Sequence, residues 1–544
     1  MAIRARRALV GLATAAAVLI LPASALAGIL PASALAAGET MTVTPASTQA
    51  GAGTSVTATL GFAAGDTPKT VVTSLAPGML GNLNANLSCL ASQQLTAACQ
   101  IGTATAHSTV GDVAGTLYLV PAQGTDAAGI EFVPPGPPLS NQYIGVSLNP
   151  NAPGGLNLTT TFTNIPGVQI TGFTTNFTTL NGQPFTRLPS SCSAATSSFT
   201  ATYYGATPTG SASGSFTPTG CASLPYAPAL SATETKDHKG NGVTLAFGIT
   251  QAANEAASRA IALKLPGGLG INLAADVTCL TGSGSGCVVG TATAMSPLVP
   301  SAALSKGTVS LGGTAAAPTL TIAIPAPFAI TLVGNVSLAG TVAFPDVPDV
   351  PLTSLNLTLT GPNGQKAFTT NCTPSTTTGT FTSQSGVSKN ATATVTRNNC
   401  PTASGSLSGL AAGYPKLRVK ATQGKGGTKI ASVAVGFSGL KFSRSAFVTH
   451  KTCVTKSGQK TCTTTTLIKG LGLSGAGAKS VALKGGKLVI MLKKPVASVT
   501  VNLSGPLLTE TASLQTKVKK HKVKTLTVTL EIGTTTIPLE LLAH

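Results

Sequence analysis

Cysteine carries the clearest chemical signal in this chain. The ten cysteines fall into pairs close in sequence: Cys89 with Cys99, Cys279 with Cys287, and Cys453 with Cys462 enclose nine, seven and eight residues, while Cys192 with Cys221 and Cys372 with Cys400 enclose longer stretches. Even number and proximity suit structural disulfides formed in an oxidising compartment. Zinc would ask for Cys-x-x-Cys spacing or grouped histidines, and His107, His238, His450, His521 and His544 are scattered. A redox-active pair would ask for two thiols much closer together. The cysteines therefore read as five staples, with no metal and no cofactor expected.

Other chemistry is sparse. Only eleven acids lie between Ala37 and Thr402, none in the aromatic-rich surroundings of a sugar cleft. Asp346 and Asp349, in "FPDVPDVP", offer two oxygens to calcium, but a Pro-rich segment of this kind reads more simply as a solvated loop. The Gly-Ser runs at Gly210 to Gly214 and Gly282 to Gly286 place serine off-centre for a nucleophile elbow. "GLSGAGAKS" from Gly472 misses a phosphate-binding loop by one residue. These residues point to no enzyme and to no small-molecule substrate.

Charge is distributed unevenly. From Ala403 to His544, 21 Lys and Arg stand against 3 acids, a net of +18, whereas from Ala37 to Thr402 there are 10 against 11. The densest run, "KVKKHKVK", holds Lys517, Lys519, Lys520, Lys522 and Lys524, and alternate lysines there would line one face of a strand or helix. Such a patch would draw the chain to an anionic cell-wall polymer or membrane surface; solubility is the plainer use of the same charge. Nucleic acid is not expected, because lysine dominates and no aromatic is interleaved for base stacking.

The elements that must hold these residues are strands. Only 9% of the 544 residues are charged, there is no Trp, and 61 Gly and 35 Pro interrupt a sequence rich in Thr and Val. Residues 1–37 have the form of a secretory signal: Arg4, Arg6 and Arg7, an apolar run from Ala8 to Leu21, then Ala-x-Ala sites ending near Ala27 and Ala36. The alternative for this segment is a retained membrane anchor. Either way the chain is expected outside the cell or at its envelope.

The remainder repeats. "CLASQQLTAACQIGTATA" from Cys89 returns as "CLTGSGSGCVVGTATA" from Cys279, each preceded by a Pro-Gly turn and followed by a hairpin signal at Asn181-Gly-Gln and Asn363-Gly-Gln. "YPKLRVKATQGKGG" from Tyr414 lines up with the start of the second copy at Tyr226, and the tail reads as strand, a short helix near Thr511 to Lys520, then two strands. This divides the chain into a signal (1–37), β unit 1 (38–225), β unit 2 (226–402) and a truncated, basic unit 3 (403–544). The expected fold is all-β: tandem disulfide-stapled, Ig-like sandwiches with at most one short helix, in the C-terminal unit. Each unit carries its own strands and staples, so few contacts should cross the boundaries.

The Ala-rich signal, the Pro-Gly turn before a Cys loop and "GTATA", the hairpin before "RLPSSC", and the closing "SGPLLTETASLQTKVKKHKVKTLTVTL" resemble uncharacterised secreted β-sandwich repeat proteins of high-GC Gram-positive bacteria. The resemblance is to structural motifs and implies no activity or ligand. The function it fits is that of a non-enzymatic spacer or adhesion module, with a polyanion-binding protein using unit 3 as the alternative.

Overall fold

The computed structural model describes residues 38–136, 140–149, 156–205, 209–238, 240–272, 276–280, 287–326, 328–337, 339–456 and 459–543. The expected signal segment and the Gly-Ser run at Gly282 to Gly286 lie outside them. The protein is all-β, built from tandem disulfide-stapled units. Its strands follow the two-residue period of the sequence: in the first, Thr40–Pro45, Met41 and Val43 are buried and the threonines between them are exposed.

Unit 1 contains an eleven-stranded sheet. Its strands are β1 (Thr40–Pro45), β2 (Val56–Gly61), β3 (Pro68–Ser74), β4 (Gln100–Ser108), β5 (Val113–Val120), β6 (Ala128–Val133), β7 (Gln142–Asn149), β8 (Asn157–Phe162), β9 (Ile170–Phe177), β10 (Ala195–Tyr203) and β11 (Thr209–Phe216). They lie in the order β1-β2-β9-β4-β5-β6-β7-β8-β3-β10-β11. The sheet folds over on itself, bringing β1 against β11 and enclosing the inward side chains.

Unit 2 repeats this arrangement strand for strand within a fourteen-stranded sheet that also takes in the short strands Leu269–Ile271, Phe368–Thr370 and Thr396–Asn398. Its members are β12 (Ala229–Lys236), β13 (Gly242–Thr250), β14 (Ser258–Lys264), β15 (Cys287–Met295), β16 (Gly307–Gly313), β17 (Pro318–Ala323), β18 (Thr331–Val336), β19 (Thr341–Phe344), β20 (Ser354–Leu359), β21 (Thr376–Ser383) and β22 (Ser388–Thr394). Their order is β12-β13-β20-β15-β16-β17-β18-β19-β14-β21-β22, which is that of unit 1 with every number raised by eleven.

The shared "GTATA" has a physical basis in both copies. A register shift just before Gly102 in β4 and before Gly290 in β15 bulges the strand and buries Ile101 and Val289. The bulge presses the glycine onto the neighbouring strand: a Cβ would fall 2.0 Å from the Asn176 carbonyl oxygen at Gly102 and 2.1 Å from that of Thr358 at Gly290. Three residues earlier, Cys99 and Cys287 anchor the bulge through Cys89–Cys99 and Cys279–Cys287. Cys192–Cys221 and Cys372–Cys400 tie together the ends of the β10–β11 and β21–β22 hairpins.

Unit 3 departs from the pattern. A four-stranded sheet, in the order Thr402–Ser408 (β23), Lys416–Thr422 (β24), Ser498–Leu503 (β31) and Leu471–Ser474 (β28), packs on a five-stranded one. The latter runs Ala478–Lys484 (β29), Lys487–Val496 (β30), Ile430–Phe437 (β25), Thr525–Ile532 (β32) and Thr535–Leu542 (β33). The strands that line up in sequence with β12 and β13 are β24 and β25. In unit 2 the pair is hydrogen-bonded; in unit 3 its members belong to different sheets. Cys453–Cys462 joins directly opposed residues of a hairpin, Phe447–Lys456 (β26) with Gln459–Ile468 (β27), and does not close a loop before a bulge.

The helix expected near Thr511 is Ala512–Lys519, capped by the Thr511 hydroxyl, which accepts from the Leu514 N–H at 3.2 Å. We label it α2, because a one-turn helix, α1 (Ser88–Ala91), stands in the first Cys loop.

Candidate functional site

The five lysines singled out in the sequence are exposed but form no row. Lys517 and Lys519 flank the buried Val518 in the last turn of α2, where residues two apart point to opposite sides. There they also complement the negative end of the helix dipole. Lys520 ends the helix, and Lys522 and Lys524 sit on the segment leading to β32. Lys519 lowers the pKa of Glu510, which burial raises by more. A better-aligned basic row escaped the sequence reading: in β24, Lys416, Arg418 and Lys420 are exposed while Leu417, Val419 and Ala421 are buried. The signal was the alternating Lys-x-Arg-x-Lys of a half-buried strand.

Asp346 and Asp349 part company. Asp346 is exposed, whereas Asp349 enters the boundary between units 1 and 2, where both of its carboxylate oxygens are taken up by Ser190. Ser190 donates to it twice, from its N–H to Oδ2 at 2.8 Å and from its hydroxyl to Oδ1 at 2.6 Å. The same hydroxyl accepts from the Ala257 N–H at 3.1 Å. Gly78, of the Pro-Gly turn, lies so close that a Cβ would come within 2.8 Å of the Asp349 side chain; its φ of +79° also suits glycine alone. Burial pushes the Asp349 pKa up to about 6, against the opposing pull of the Ser190 bonds and the Arg187 charge.

Arg187 crosses the same boundary. It is held in a short ladder between Gly53–Thr54 and Leu80–Gly81 and donates to the carbonyls of Ala253 at 2.9 Å and Glu255 at 3.2 Å. Asn84 donates to the carbonyls of Ser296 and Val299, and Leu80 and Leu156 are part of the unit 2 core. The expectation that few contacts cross this boundary is corrected: "RLPSSC", which follows the hairpin, is the docking segment between two units.

No three His, Cys, Asp or Glu come together among the described residues. Gly472 and Lys479 lie on strands β28 and β29, with no helix after them to present amides to a phosphate. Gly210 to Gly214 belong to β11.

A deep concave feature lies inside unit 1, where the sequence offered no motif. Between two apolar clusters, one around Phe62 and Phe199 and the other around Cys89–Cys99 and Leu119, lies a cavity of about 470 Å³. Its walls are the inward residues of β2 to β9, and its floor includes Met79, Leu80 and, from unit 2, Val299 and Phe328. At the opposite end are the turn from Ser108 to Val113 and the loop carrying Pro166 and Val168. Val110 is 87% exposed there and Val168 46%. At that end His107 and Asp112 pair at 2.9 Å. Left empty, a void of this size would sacrifice on the order of 10 kcal/mol of packing, comparable to the net stability of a domain.

No family model matches the chain, and comparison with curated proteins finds no relative. Among solved structures, one that matches is described as a tetra-tandem repeat in the extending region of a large adhesion protein. It is 11% identical over 93% of this chain and 100% of that one, with a TM-score of 0.15. A TM-score that low transfers neither fold detail nor function.

Proposed function

We propose that the chain works outside the cytoplasm as a non-enzymatic β-repeat protein, a structural spacer or adhesion module at the cell envelope. The observation that carries this reading is the head-to-tail docking of units 1 and 2. A bidentate acid–serine contact, an Arg reaching two carbonyls and a shared apolar core make one stiff body from two repeats. Stiffness is what a spacer requires and a flexible tether lacks. All ten cysteines are bridged, which suits an oxidising compartment. A reporter fused to one end of the envelope-bound protein tests it: deleting units 1 and 2 should make the reporter less accessible to a bulky antibody on intact cells. Unchanged accessibility refutes the spacer role.

A second reading, in which unit 3 holds an anionic wall polymer or membrane surface, is supported by its net charge of +18 and by the exposed row on β24. Under it, replacing Lys517, Lys519, Lys520, Lys522 and Lys524 by Gln weakens retention on isolated envelopes at low salt and flattens its salt dependence. Retention unchanged at every salt concentration leaves those lysines a solubility device.

A further inference from the structure

We infer that unit 1 is a binding site for a single long acyl chain, held in the apolar cavity with its polar head at the end formed by the Ser108–Val113 turn. Units 1 and 2 share one topology, yet the core of unit 2 is a single continuous cluster, while that of unit 1 is split in two by the cavity.

Ladder positions counted from the shared glycines, Gly102 and Gly290, show where the difference arises. The facing pair Phe247 and Leu357 of unit 2 corresponds to Ala58 and Thr175 in unit 1. The facing pair Leu263 and Val342 corresponds to Thr73 and Thr160. All four unit 2 residues are buried in its core, and all four unit 1 residues line the cavity. Elsewhere unit 1 has the larger residue, as with Ile144 opposite Gly334, so it is not uniformly short of apolar volume. Volume has been withdrawn from two facing pairs and the walls kept apolar.

The shape selects the ligand. Along β7 the lining runs from Gln142 to Leu148, roughly 20 Å at the rise of a strand, a length that suits an extended methylene chain lying between apolar walls. The volume falls within the roughly 300–1,000 Å³ of small-molecule sites.

Position in the tandem agrees. The floor end of unit 1 is closed by Val299 and Phe328 of unit 2, and the corresponding loops of unit 2 are in turn covered by Leu80 and Leu156 of unit 1. At the other end, Val110 and Val168 are presented to solvent, an apolar rim suited to meeting a chain at a lipid surface. Asp112, Ser140 and Gln142 supply polar groups for a head that stays wet.

The test is binding of the fluorescent fatty acid cis-parinaric acid to the mature chain, 38–544, alongside transfer of the same acid from phospholipid vesicles. Wild type should bind one equivalent with enhanced fluorescence. The variant A58F/T73L/T160V/T175L, which installs the unit 2 residues, should lose at least tenfold in affinity while keeping its β-type far-UV spectrum and melting no lower. Should that variant not fold, Thr175→Leu alone must weaken binding several-fold. Uptake from free acid but not from vesicles identifies a soluble fatty acid as the source; uptake from both identifies the membrane. Absence of binding by wild type in either arm, or equal binding by a folded filled variant, overturns the inference.

Discussion

Asp349 offers the most direct test of how units 1 and 2 are joined. Enclosure at the boundary raises its pKa from 3.8 to about 6, because burial penalises the carboxylate by more than the two Ser190 bonds and the Arg187 charge favour it. A folded-state pKa above the unfolded value means that the native protein binds this proton more tightly. The stability linked to it is therefore present in full below about pH 4 and is lost as pH rises through about 6. A rise of about two units corresponds to about 3 kcal/mol. Asp349→Asn keeps the shape and removes the titration. In urea unfolding of residues 38–544 between pH 4 and 7.5, the variant should gain about 2–3 kcal/mol on wild type across the range, most of it between pH 4.5 and 6.5. A constant difference between the two proteins would show that the carboxylate is solvated and that the boundary is not closed around it; one running the other way would show that the Ser190 bonds and the Arg187 charge outweigh burial.

Arg187→Ala removes two hydrogen bonds and the charge facing Asp349, and should destabilise the joined units by about 3–5 kcal/mol. Hydrogen exchange at Ala253 to Ala257 should rise with it, and a change confined to residues near 187 would refute the cross-boundary role. A chain of residues 226–402 bares Val299 and Phe328 and loses Leu80 and Leu156 from its core, so it should melt below a chain of 38–402 that unfolds in one transition. Two independent transitions, one matching the isolated unit, would count against this. Replacing Cys192 and Cys221 by Ser opens a loop of sequence separation 29, which should cost about 3 kcal/mol and sensitise the β10–β11 hairpin to proteolysis. Unaltered stability would mean that the hairpin ends are held by packing alone.

The sequence by itself determined what is local and periodic. Alternation of Thr with Val, Leu and Ala makes strands because only a two-residue period puts "TMTVTP" or "KLRVKAT" half in and half out of a core. Asn181-Gly182 makes a hairpin because both residues tolerate positive φ, 49° and 76° here. Cysteines close in sequence are bridged because a short loop brings them together at little entropic cost. Which side chains meet across space was decided only by the tertiary structure. Arg187 and Ser190 are remote in sequence from Asp349, and no local rule says that a Pro-rich loop will be covered by the neighbouring unit. The lysines of "KVKKHKVK" scatter because their strand-like alternation falls on a helix and its exit. The cavity left the faintest trace. Ala and Thr at 58, 73, 160 and 175 are ordinary strand residues taken singly, and they become a void only when the closing of the sheet sets one facing pair opposite the other.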